Sequence, residues 1–160
     1  MKKTIILLIA FLFSIPAISL THQEYFHDIK QKSEQGDANA QLELYFAYQL
    51  GRGVRQNESE GIKWLEKSAE NGNVKSQGLI GTYYLHGTGV KQDFTKAIKW
   101  LTAASKQGDD GSLFVLAGMY KEGNGVKKDM SRAKEYYGVA CDNGNQIGCD
   151  AYAKLNQKGY

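Results

Sequence analysis

Apolar and small residues recur with helical spacing along most of the chain. Between residues 73 and 108, Ser76, Ile80, Gly81, Tyr83 and Tyr84 share one side of a first predicted helix. Gly87-Thr88-Gly89 stops it, because glycine tolerates the left-handed conformation that ends a helix. Asp93 then stands where an N-cap carboxylate accepts free backbone N–H groups. Ala97, Trp100, Leu101 and Ala104 carry the apolar stripe of a second helix, which ends at Gly108. The segment reads as a helix pair, without strand-type alternation.

The pair recurs with a period of 36 residues: Gly36, Gly72, Gly108 and Gly144 are equally spaced. So are Gly51, Gly87, Gly123 and Gly159, and the Gly-Val steps at Gly53, Gly89 and Gly125. Tyr48, Tyr84 and Tyr120 share a column, as do Trp64, Trp100 and Tyr136. Three repeats follow, at 37–72, 73–108 and 109–144. A cap helix is expected within 20–36, and a half-repeat or cap within 145–160. A lone helix pair cannot bury its apolar face, whereas stacked pairs share one core. The expected fold is all-α, a right-handed superhelical solenoid of antiparallel helix pairs.

Residues 1–19 have a different pattern. Lys2 and Lys3 precede an unbroken apolar run, Ile5–Phe13, too short to span a bilayer as a helix. Ala17-Ile18-Ser19 places small residues where a signal peptidase reads, so cleavage is expected after Ser19. The short Lys-Lys start has a bacterial look, which points to the periplasm or the cell exterior. Hydrophobic residues make up 42% and charged residues 23%, which predicts a folded body rather than disorder. The net charge is +3, and loss of Lys2 and Lys3 leaves +1. That balance excludes a strong electrostatic case for nucleic acid or an anionic membrane.

The run Gly81-x-x-Tyr84-x-x-Gly87-x-Gly89-Val90-x-x-Asp93-x-x-Lys96-Ala97-x-x-Trp100-x-x-x-Ala104-x-x-x-Gly108 resembles the Sel-one-like repeat, a relative of the tetratricopeptide repeat. The third repeat resembles it through Tyr120, Gly123, Gly125, Val126, Asp129, Arg132, Ala133, Tyr136, Ala140 and Gly144. The first departs at Asn57 and Gly61, where the pattern prefers Asp and Ala. A helical Gly61 costs about 1 kcal/mol against Ala, so a looser first repeat is expected. The resemblance implies a scaffold or adaptor for protein–protein contact. For a small exported member it implies an immunity protein against a secreted toxin, or a factor that engages host proteins.

Cys141 and Cys149 flank a predicted helix–helix turn, and eight residues around such a turn bring two Cα atoms within disulfide range. An oxidising compartment favours the bond. The string around them also resembles a cysteine-rich secreted subgroup of Sel-one-like proteins, which has been labelled beta-lactamase-like. Ser131-Arg132-Ala133-Lys134 fits the Ser-x-x-Lys element of penicillin-recognising enzymes, but the Ser-Asp-Asn and Lys-Thr-Gly companions are missing. An enzyme acting on beta-lactam or cell-wall substrates is therefore the alternative, and a non-enzymatic binding module the leading expectation. No cofactor or metal is expected: His22, His27 and His86 are scattered, and the Gly-x-Gly turns lack the Lys of a phosphate loop. First helices of such solenoids line a concave face that binds partners. On that face the expected partner-binding residues are Phe46, Leu79, Tyr83, Val115 and Met119, with Phe46, Tyr83 and Met119 the most exposed. Tyr and Met suit adaptable contact surfaces.

Overall fold

The computed structural model describes residues 21–160, and the leader expected over 1–19 lies outside the described residues. Eight helices follow one another: α1 (His22–Glu34), α2 (Ala38–Leu50), α3 (Glu58–Glu70), α4 (Val74–His86), α5 (Phe94–Ser105), α6 (Asp110–Glu122), α7 (Met130–Asp142) and α8 (Gln146–Gln157). Polar caps start them. Asp93 Oδ1 accepts the Lys96 N–H at 3.0 Å at the head of α5. Asn57 does the same for Glu60 at 3.0 Å at the head of α3, so Asn replaces Asp there without loss of the cap. Thr21 and Glu24 close a reciprocal capping box on α1.

Gly87, at φ 73°, and Gly89, at φ 64°, turn the chain from α4 toward α5. Gly89 also lies so close to Ile62 of the preceding repeat that a Cβ there would collide with it. One motif thus ends a helix and sets the distance between neighbouring repeats.

Helices α2–α3, α4–α5 and α6–α7 form the three pairs. Helix α1 stands in the register of the second helices, and α8 in that of the first helices. The main core is continuous from Ile29 on α1 to Met119 on α6, with Leu44, Leu65, Ile80, Leu101 and Leu116 fully buried. A smaller cluster of Ala117, Ala133, Tyr137 and Leu155 joins α6, α7 and α8. The described residues are all helix, turn and connection, an all-α repeat solenoid.

The turns between repeats are tied in different ways. Gln41 Nε2 donates to the Ser33 carbonyl at 2.9 Å, and Gln77 Nε2 to the Ala69 carbonyl at 3.1 Å. Leu113 and Cys149 occupy the same repeat position. Cys149 forms a disulfide with Cys141, with the Cα atoms 4.4 Å apart.

One expectation needs correction, and one gains a packing detail. Met119 is 1% exposed and belongs to the core, not to a contact surface. It belongs to the main core cluster with Leu116 of its own helix, and Tyr83 of the preceding first helix packs against that cluster. Gly61 has a packing role in the first repeat. It is buried, and an added Cβ would stand 3.2 Å from the Tyr45 carbonyl oxygen and 3.3 Å from Tyr48 Cβ. Glycine there lets α3 lie directly on α2.

Candidate functional site

The outward side of the first helices carries several large apolar side chains that the core leaves uncovered. Phe46 is 44% exposed, Leu50 58% and Phe114 37%. Phe46 and Leu50 are four residues apart on α2, hence on one face. The Tyr45 ring holds Phe46 from the side, with centroids 4.8 Å apart.

Beside Phe46 lies a hollow of about 330 Å³ lined by Tyr25, Glu43, Phe46, Ala47, Leu50 and Arg52. Its wall is set by a bond between helices: the Tyr25 hydroxyl donates to Glu43 Oε2 at 2.7 Å. The Glu43 carboxylate, accepting that bond, raises the Tyr25 phenol above its ordinary pKa. A broader groove of about 760 Å³ continues along the first-helix N-termini. Its lining mixes apolar Ala38, Leu42 and Val74 with polar side chains, and Asn73 Nδ2 donates to Asn39 Oδ1 at 2.8 Å.

The expected contact residues divide. Phe46 is on the surface. Leu79 and Val115 are half-buried and pack against the main core. Tyr83 is half-buried, and its hydroxyl shares a 2.6 Å hydrogen bond with that of Tyr45, whose phenol is raised by burial first and by this bond second. Met119 is internal. The five therefore do not form one continuous apolar patch. Tyr25 was not expected at the site, and Arg52 reads from sequence as a solvated turn charge. The available signal was Ala47, a small residue in a column otherwise held by Tyr83, Met119 and Leu155.

Other polar clusters serve structure. Tyr84 donates to Glu66 and accepts from Lys96 Nζ at 3.3 Å, linking α3, α4 and α5. Lys134 Nζ donates to Asn156 Oδ1 at 3.1 Å and to the Tyr160 carbonyl, and lies over the Tyr152 ring. It therefore ties α7 to the C-terminal turn, while Ser131 is exposed in the first turn of α7. His22, His27 and His86 are exposed and on separate surfaces. Among the described residues no three His, Cys, Asp or Glu side chains group as a metal site, and no helix is long and apolar enough to cross a membrane.

The Sel1 repeat model matches residues 38–73, 74–109 and 112–145. The structure is similar to the Sel1 repeat protein from Oxalobacter formigenes, at 35% identity and TM-score 0.74, covering 80% of this chain and 96% of that one. It is also similar to c5321, a protective antigen of uropathogenic Escherichia coli with an SLR fold, at 28% identity and TM-score 0.70. That match covers 84% of this chain and 33% of the antigen, so this chain spans a third of its length. Helicobacter pylori cysteine rich protein B shares the fold, at 21% identity and TM-score 0.60, over 80% of this chain and 95% of its own. A comparison with curated protein sequences returns no match. This chain belongs to the Sel1 repeat family, whose helix pairs are modules for protein–protein interaction.

Proposed function

We propose that this protein is an exported bacterial binding module that holds one protein partner on the face of its first helices. The observation that carries the reading is the exposed Phe46–Leu50 pair beside the hollow at Ala47. Apolar side chains of this size, left out of the core and rimmed by charge, are the usual material of a contact surface. A stack of packed helices needs little ordering on association, so shape already present favours binding. Export is supported by the leader pattern of residues 1–19 and agrees with the disulfide. Neutralising a secreted toxin and engaging a host protein are two forms this role could take.

Affinity capture from envelope extract tests it, with the full chain tagged at its C-terminus as bait. The expected result is one stoichiometric protein, reduced by Phe46→Thr with Leu50→Glu. Capture unaffected by that double change would move the contact surface elsewhere. N-terminal sequencing of the recovered bait checks for a start at Leu20.

A further inference from the structure

The repeats provide an internal control. A side chain that every repeat requires recurs every 36 residues, whereas one that recurs nowhere marks either an end of the stack, as Cys149 does, or a site. All six residues around the 330 Å³ hollow differ in size or charge from their repeat equivalents. Tyr25 stands where Gly61, Ala97 and Ala133 stand. Phe46 stands in a column with Thr82, Gly118 and Lys154, and Leu50 in one with His86, Glu122 and Lys158. Glu43 stands opposite Leu79, Val115 and Ala151, and Arg52 opposite Thr88, Asn124 and Tyr160. The sixth, Ala47, is buried at the floor of the hollow, at the position that Tyr83, Met119 and Leu155 hold in the other repeats. These departures lie on α1, on α2 and in the following turn, and only the folded chain brings them together.

Charge narrows what would fit. The Glu43 carboxylate already accepts the Tyr25 hydroxyl. Arg52 takes part in none of the ion pairs among the described residues. Arg52 lines the same hollow, and its charge reaches the Tyr25 hydroxyl that Glu43 holds. The volume is at the lower limit of small-molecule pockets, about 300–1,000 Å³, and suits one large side chain better than a cofactor. From this geometry we infer that the hollow is a specificity pocket for an exposed partner segment with a Phe- or Leu-sized side chain next to an acidic one. The apolar side chain enters over Ala47 between Phe46 and Leu50, and the carboxylate meets Arg52. The inference rests on the binding-module reading and adds the chemistry of the partner.

The test titrates N-acetyl-Phe-Glu-amide and N-acetyl-Phe-Gln-amide into the full chain, followed by amide NMR shifts. The expected result is shifts at Phe46, Ala47, Leu50 and Arg52, with the Glu peptide about threefold tighter, the size of one exposed charge pair. Ala47→Met places in the hollow the side chain that Met119 has in its own repeat, and should abolish the shifts. Phe46→Thr, a surface change, should weaken both peptides equally if Ala47→Met does not fold. Arg52→Thr should remove the difference between the peptides. Equal binding of Glu and Gln peptides, no shift with either, or unchanged binding in Ala47→Met and Phe46→Thr would overturn the inference. A partner still captured by the Ala47→Met bait would separate the two ideas: the module would stand and the pocket would not.

Discussion

The two ends of the solenoid solve one problem with different chemistry. Through α1–α5 each turn between repeats lies over a thick core and is tied by a glutamine amide, Gln41 to the Ser33 carbonyl and Gln77 to the Ala69 carbonyl. Gln107 extends the second tie by donating to Gln77 Oε1 at 2.8 Å. Toward α8 the core thins to four buried residues, and Leu113 cannot make the bond. Ser112 shows the same change: its buried hydroxyl is unpaired, whereas the equivalent Ser76 bonds Ser68 at 2.7 Å. Ala104 stands where Ser68 would be repeated, so the partner is missing. At the last turn a covalent bond between Cys141 and Cys149 takes the glutamine's place. A terminal repeat with a neighbour on one side only buries less surface, and a crosslink compensates by restricting the unfolded chain.

The core contrast should give the largest effect. Leu101→Ala removes a fully buried side chain from the main core and should cost about 3–4 kcal/mol, against about 2 kcal/mol for Leu155→Ala in the small cluster. Urea unfolding of both variants checks this, and equal costs would mean that the ends are equally well packed.

Replacing both cysteines by Ser should cost about 2–3 kcal/mol. The loss should be local. Amide exchange should speed up in α8 and the last turn of α7 while α2–α5 keep their protection. Uniform acceleration across the chain would show instead that the solenoid opens as one unit.

Gln77→Leu copies the third repeat into the second. It strands the Ala69 carbonyl, leaves the exposed Gln107 amide only its bond to the Gly72 carbonyl, and should cost about 1 kcal/mol in urea unfolding. No cost would reduce the glutamine ties to bystanders.

The smallest effect concerns the start of α1. Hydrogen bonds from the Thr21 backbone, and then from its hydroxyl, hold the Glu24 carboxyl below its ordinary value. A folded-state pKa depressed in this way gives stability that is present above the unfolded value and lost as pH falls through the folded one. The first turn of α1 should therefore fray in acid, with lower amide protection factors near Tyr25. Glu24→Gln should make those protection factors independent of pH in the carboxylate range.

Much of this was legible before any coordinates. The 36-residue period, the Gly87-Thr88-Gly89 stop and the Asp93 cap are local signals, written in consecutive residues. The neighbouring positions of Cys141 and Cys149 followed from a short turn between two helices. The candidate site was only partly legible. Phe46 reads correctly as a surface residue, but Met119 looks equally suited to a contact and is internal. Both lie on first helices, and helical spacing does not say how far the stripe of packed neighbours extends around each one. Tyr25 and Arg52 gave no signal of their own, since an aromatic residue in a cap helix and an arginine in a turn are ordinary.

Sequence alone therefore determined the helices, their pairing and the family, because caps, glycine turns and apolar spacing act over a few residues and repeat. Tertiary structure alone decided which first-helix side chains remain outside and that a hollow opens at Ala47. Exposure depends on the size of whatever packs from the next helix. At the start of this stack Tyr25 of α1 meets α2, whereas within the repeats one first helix meets another.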